Sequence, residues 1–164
     1  MSAGGTSYAG ALTGHVSGAG RRFGVVVSRF HADITEQLLE SAVRCLVEHG
    51  TPPEAVDVYR VPGAWELPQA VGWLASRPRH SALVALGCLI RGETVHFELI
   101  AREVAQGLAA VARDTGMPVV FGVLTTDTEE QAVTRADPAR GDKGREVALA
   151  ALEMAELHLQ LLPQ

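Results

Sequence analysis

Cysteine is scarce in this chain. Cys45 and Cys88 are the only two, far apart and each in apolar surroundings. Such usage excludes a disulfide framework and fits free thiols in a reducing cytoplasm. Long hydrophobic runs are missing as well: the longest, residues 81–90, is half of the ~18–20 residues a membrane span needs. The first twenty residues hold no Lys or Arg and no compact apolar stretch, so no secretory signal is expected. Positive charge is not in excess, since 14 basic side chains stand against 19 acidic ones for a formal charge of −5. The basic residues are scattered, which argues against non-specific nucleic-acid binding. The six histidines (15, 31, 49, 80, 96 and 158) show no ligand spacing and no Cys-x-x-Cys occurs, so no metal site is expected. What is present is ample apolar material. The 164 residues are 47% hydrophobic and 20% charged, enough for one domain that hides on the order of 70% of its unfolded surface. A soluble, cytoplasmic, single-domain protein is expected.

Residues 1–20 carry six glycines and read as a flexible N-terminal arm, with a short extended piece around Ala11–Val16; residues 21–164 read as the domain. The run Phe23-Gly24-Val25-Val26-Val27-Ser28 has the continuous β-branched character of a strand buried on both faces. A helix follows over 33–49, where Ile34, Leu38, Val43, Leu46 and Val47 keep a spacing near 3.6 and Gly50 supplies the stop. The unit then repeats: strand 55–61 and helix 65–76, strand 81–90 and helix 95–114, strand 118–124 and a short helix with Thr128 and Gln131 at capping-box spacing. A last amphipathic helix follows the loop at 137–141 and reaches about Leu161. This alternation predicts an α/β fold, a three-layer αβα sandwich with a four-stranded parallel, flavodoxin-like sheet and helices on both faces.

In an open parallel sheet the ligand crevice lies beyond the carboxyl ends of the strands. Those tips hold Phe30, Trp65 and Phe97 of the eight aromatic side chains in a chain only 5% aromatic, which suits a flat ligand. The third tip is the richest. Gly92 and Thr94 precede a helix whose first N–H groups make an anion site, or Thr94 merely caps that helix. Glu93 has to point away from any phosphate there. No Gly-x-x-x-x-Gly-Lys-Ser/Thr occurs, which excludes a nucleoside triphosphate loop. His96 is one turn on; imidazole is the usual proton-transfer side chain, although a lone histidine is more often structural. Phe30 is either a ring exposed for stacking or a lid on the core. Glu66 either accepts hydrogen bonds from ligand hydroxyls or suits a first helical turn, and Arg135 is a ligand cation or a helix C-terminal charge. Cys88 lies inside an apolar strand, where a thiolate is disfavoured. The residues taken alone indicate a small phosphorylated or heteroaromatic ligand at the sheet edge.

Those tips resemble the lumazine synthase family. The matching pieces are Val27-Ser28-Arg29-Phe30, Pro62-Gly63-Ala64-Trp65-Glu66, residues 87–97 (GCLIRGETVHF), residues 121–132 (FGVLTTDTEEQA), then Arg135 and Lys143-Gly144. They run in one order from about Arg22 to Leu157. The resemblance implies condensation of 5-amino-6-(D-ribitylamino)uracil with 3,4-dihydroxy-2-butanone 4-phosphate, giving 6,7-dimethyl-8-ribityllumazine, phosphate and water, with no cofactor. It implies that Phe30 stacks on the pyrimidine. Ala64, Trp65 and Glu66, with the backbone of Cys88, Leu89 and Ile90, hold the ring edge and ribityl chain. Glu93 and Thr94 offer backbone contacts to the phosphate, Arg135 and Phe121 reach in from a neighbouring subunit, His96 moves protons, and Lys143 supports the site. It further implies a homopentamer or an icosahedral shell of pentamers, with riboflavin synthase as a partner. Trp65, Val95 and Asp137-Pro138 depart modestly from the family pattern. Two readings compete on the same fold: a non-catalytic flavin binder or shell scaffold, and an archaeal-type riboflavin synthase, whose reaction has no use for a phosphate pocket.

Overall fold

The computed structural model describes residues 10–77 and 79–162. Four parallel strands, β1 (Phe23–Ser28), β2 (Val56–Val61), β3 (Ala82–Ile90) and β4 (Val119–Thr126), form one sheet in the order β2-β1-β3-β4. The crossovers are α1 (Ala32–Glu48), α2 (Leu67–Ala75) and α3 (His96–Thr115), followed by α4 (Glu129–Ala136) and α5 (Lys143–Leu161). This is the expected three-layer sandwich. The central strands β1 and β3 are the apolar ones because both their faces are covered; every residue of β1 is buried. On one face Phe23, Val25 and Val84 meet Leu38, Leu46 and Leu152 of α1 and α5. On the other, Val26, Leu83 and Val123 meet Leu67, Val71, Val104 and Leu108 of α2 and α3.

Two boundaries move for physical reasons. β4 does not stop at Leu124 but continues to Thr126, since Leu89 and Ile90 of β3 pair with Thr125 and Thr126. The helix expected from Trp65 begins as a 3₁₀ turn over Ala64–Glu66, and α2 proper starts at Leu67. Pro68 sits in that first turn, where its missing N–H costs nothing. The short helix α4 carries its expected capping box: Thr128 Oγ1 accepts from Gln131 N at 3.2 Å, and Gln131 Oε1 accepts from Thr128 N at 3.4 Å.

The expected N-terminal arm lies partly outside the described residues. Its described part, residues 10–20, has no strand around Ala11–Val16. Gly14 and Gly18 are buried: a Cβ at Gly14 would overlap the Glu153 carbonyl of α5, and one at Gly18 would overlap Thr51. Gly18 N donates to His49 O at 2.8 Å, and Arg21 pairs with Glu156 at 2.7 Å. No helix among the described residues is long and apolar enough to cross a membrane.

Candidate active site

The carboxyl end of the sheet opens into a cleft with two joined compartments. At the tip of β1, Phe30 N donates to Pro62 O at 3.1 Å, and Arg29 N donates to Val61 O at 2.9 Å. These bonds tie the tips of β1 and β2 together and leave the Phe30 ring 66% exposed. The ring therefore stands outside the core and does not cap it. It lies over Gly63, where a Cβ would come within 2.6 Å of Phe30 Cδ2. Gly63 is thus required by close approach, and its N–H donates to Glu66 Oε2 at 2.9 Å. One oxygen of Glu66 is used to hold this turn, leaving the other for a ligand.

The larger compartment, about 400 Å³, is bordered by Phe30, Ala64, Trp65, Glu66, Leu89 and His96. The smaller, about 260 Å³, shares Phe30, Ala64, Leu89 and His96 and adds His31, Cys88, Ile90, Gly92, Thr94 and Phe97. Trp65 is 56% exposed at the rim. Thr94 Oγ1 accepts from His96 N at 3.4 Å and borders the smaller compartment; Val95 is the N-cap of α3, which has no side-chain cap. Burial pushes the Cys88 thiol up to about 12, with Asp33 and Glu129 adding to the shift; it is a wall and not a nucleophile.

The turn between β3 and α3 is held by Arg91. Its Nε donates to Asp127 Oδ1 and its Nη1 to Glu98 Oε1, both at 2.7 Å, while the guanidinium sits 4.8 Å from the centre of the Phe97 ring. Its backbone N–H donates to Thr126 O at 2.8 Å. This clamp joins the β4 tip to the first turn of α3, which carries His96.

Within one chain the fold therefore brings together Phe30, Ala64, Trp65, Glu66, Cys88, Leu89, Ile90, Thr94 and His96. Four expected residues do not border the cleft. Glu93 is exposed on the turn. Phe121 is 41% exposed on the edge strand β4, on the α2–α3 face it shares with Val119 and Val123. Arg135 Nη1 donates to Gln131 O of its own helix at 3.4 Å. Lys143 pairs with Glu146 at 2.6 Å at the start of α5. Residues the sequence did not single out also border the cleft: His31, Phe97 and Ile100. Ile100 was within reach, one turn beyond His96 on the same helix face. His31 carried no such periodic signal. Among the described residues, no group of three or more His, Cys, Asp or Glu is placed to hold a metal ion.

The chain is a doubly wound α/β protein with an aromatic-rimmed cleft at its strand tips, bordered by His96 and the Thr94 hydroxyl, the place where such sheets hold small molecules. The family is more particular. Residues 20–158 match the family model for 6,7-dimethyl-8-ribityllumazine synthase. The chain is also 47% identical over 148 residues to the 6,7-dimethyl-8-ribityllumazine synthase of Aquifex aeolicus (strain VF5), covering 90% of this chain and 96% of that one. The chain belongs to the lumazine synthase family and is an enzyme of riboflavin biosynthesis.

Proposed function

We propose that the chain condenses 5-amino-6-(D-ribitylamino)uracil with 3,4-dihydroxy-2-butanone 4-phosphate, releasing phosphate and water as 6,7-dimethyl-8-ribityllumazine forms. The observation that carries this reading is the joined cleft, in which Phe30, His96 and Thr94 converge beside a free oxygen of Glu66. The pyrimidine stacks on Phe30. Its ribityl chain runs toward Ala64, Trp65 and Glu66, whose remaining carboxylate oxygen accepts a hydroxyl. The phosphorylated ketone occupies the smaller compartment beside Thr94.

Forming an imine from an arylamine and a ketone needs proton transfers and a held geometry more than a strong nucleophile. Orientation makes a bimolecular step effectively unimolecular. The amine attacks the carbonyl carbon, and the resulting hydroxyl leaves as water once protonated. His96 carries that proton and takes another from carbon as the C–O bond to phosphate breaks. The ribitylamino nitrogen then attacks the remaining carbonyl to close the ring, and that oxygen leaves as a second water. Departing phosphate gains charge, which the N–H groups before α3 and an arginine stabilise.

Arg135 and Phe121 act from a neighbouring subunit in this reading, so the smallest active form is an oligomer, a pentamer or a shell of pentamers. Their absence from the cleft of one chain supports this. So does α3: of its twenty residues only Val104 and Leu108 are buried, while Val95, just before it, and Leu99 are 70% and 58% exposed. The test mixes purified protein with both substrates and follows the lumazine chromophore against the spontaneous reaction. A protein-dependent rate is expected; its absence from pure, assembled protein would overturn the reading.

A further inference from the structure

His96 borders both compartments, yet little in its own segment holds it there. It is the first residue of α3, and the turn leading into it, Gly92 to Val95, is exposed throughout. Val95 gives α3 no side-chain cap, and the bond from His96 N to Thr94 Oγ1 is long at 3.4 Å. A Cβ added at Gly92 would meet nothing within 4 Å, so nothing packs on the turn at that point. An uncapped first turn leaves its N–H groups to water, and helix ends fray there.

Arg91 supplies what the turn lacks. Its Nε donates to Asp127 Oδ1 and its Nη1 to Glu98 Oε1, both at 2.7 Å. The guanidinium lies 4.8 Å from the centre of the Phe97 ring, close enough for a cation to be attracted to an aromatic face. One planar group thus grips the two residues that follow His96 and ties them to the tip of β4. Among the described residues, the bond to Asp127 is the only side-chain hydrogen bond between residues 91–99 and the rest of the fold. Asp127 is itself fixed, since its N–H donates to Gln131 Oε1 at 2.9 Å beside the capping box of α4.

A guanidinium can address two carboxylates and a ring at once, whereas an ammonium is a point charge. Arg91, Glu98 and Asp127 are all exposed, and exposed ion pairs add little to global stability. The effect of this fork is therefore local. With both carboxylates engaged, Arg91 is not free for an anion, nor is it among the residues that border the cleft.

We propose that Arg91 is a positioning residue for proton transfer: by fastening Phe97 and Glu98 to the β4 tip it fixes the first turn of α3, and with it the His96 imidazole in the cleft. The role of His96 in that step rests on the proposed function; the fastening of the turn does not. Misplacing a reacting group by about 1 Å costs up to 10²-fold in rate, so a loosened turn is felt in kcat.

The test compares assembled wild type, Arg91→Gln, Arg91→Lys and Arg91→Gln combined with His96→Ala, by turnover with both substrates saturating and by backbone amide hydrogen exchange. Arg91→Gln is expected to melt close to wild type, to exchange faster at residues 92–99, and to lose about tenfold in kcat with KM for the pyrimidine unchanged. Arg91→Lys, which keeps one carboxylate and the Phe97 face within reach, should recover part of both effects. On top of His96→Ala, Arg91→Gln should cost nothing more in kcat, because the group it positions is gone. Unchanged exchange at residues 92–99, a loss confined to KM for the butanone phosphate, or the same tenfold loss with and without His96 would each overturn the role. If Arg91→Gln did not assemble, Glu98→Gln, which breaks one arm of the fork, is read by the same criteria. If wild type made no lumazine while Arg91→Gln still freed the turn, the fastening would stand and the functional reading would fall.

Discussion

Phe30 and Gly63 are two halves of one feature. The ring can rest on the backbone of the β2 tip because Gly63 offers no Cβ, and the nearest ring carbon would lie 2.6 Å from one. Gly63→Ala must displace the ring or the turn that Glu66 holds. KM for the pyrimidine is expected to rise about tenfold, equivalent to roughly 1.4 kcal/mol, while KM for the butanone phosphate changes little; steady-state kinetics with each substrate varied separately checks this. His96→Ala should show the opposite signature. General acid–base groups supply about 10²–10⁴-fold, so kcat should fall about a hundredfold or more with both dissociation constants near wild type. An unchanged kcat would remove His96 from the chemistry. Both positions were legible in the sequence because each falls at a strand tip. Glu66 was legible only in outline: that one of its oxygens is committed to Gly63 depends on a 3₁₀ turn that the sequence pattern read as ordinary helix.

Among the elements, the strands carry opposite demands at their two ends. At the carboxyl ends polar groups are left available. At the amino ends of β1, β2 and β3 they are consumed in a compact cluster. Asp57 accepts from Arg22 Nε and Nη2, both at 2.6 Å, and lies 3.0 Å from His80 Nε2. His80 packs over Gly24 and meets the Tyr59 ring edge-on. The Arg22 guanidinium, with help from His80, holds the Asp57 carboxyl at about 2. Burial keeps the His80 ring below its ordinary value. The signs agree. A depressed carboxylate stabilises above its unfolded value near 3.8 and loses that contribution as pH falls toward 2. A depressed histidine stabilises above about 6.5 and loses its contribution as pH falls through its lowered folded value. Acid should therefore weaken the fold in two stages, first as His80 charges and then as Asp57 is neutralised. Asp57→Asn should flatten the second stage and cost on the order of 1–3 kcal/mol at pH 7. Denaturant midpoints measured between pH 7 and pH 2 would show it, and a wild-type midpoint unchanged over that range would refute it. Sequence alone marked these residues as strand ends and loop, because a cluster assembled from three segments leaves no local pattern.

For the whole molecule the question is where the site ends. If His96 serves its own chain while Arg135 serves the next one, two dead variants should repair each other. His96→Ala and Arg135→Ala subunits, each with little turnover alone, should recover activity when unfolded and reassembled together. Random mixing leaves about a quarter of sites with both groups intact in a cyclic assembly. No recovery in mixed assemblies of proven stoichiometry would place both residues in one chain's site. Arg135→Ala alone should raise KM for the butanone phosphate and spare pyrimidine binding. The exposed Phe121 and the thinly buried α3 are what a neighbouring subunit would cover.

The sequence by itself determined the alternation of strands and helices, the burial of β1 and β3, the capping box of α4 and the identity of the strand tips. These follow from local periodicity and from residues next to one another in the chain. The same nearness made the family recognisable, since its motifs are the tips themselves. Tertiary structure alone decided which tips share one cleft, that Arg91 is fastened to Asp127 and Glu98, and that Phe121, Arg135 and Lys143 lie away from that cleft. It also decided that His31, unremarkable in sequence, is held at positive φ facing His96's compartment. Contacts between distant segments depend on how the layers pack, and a dihedral forced by that packing has no signature in the order of residues.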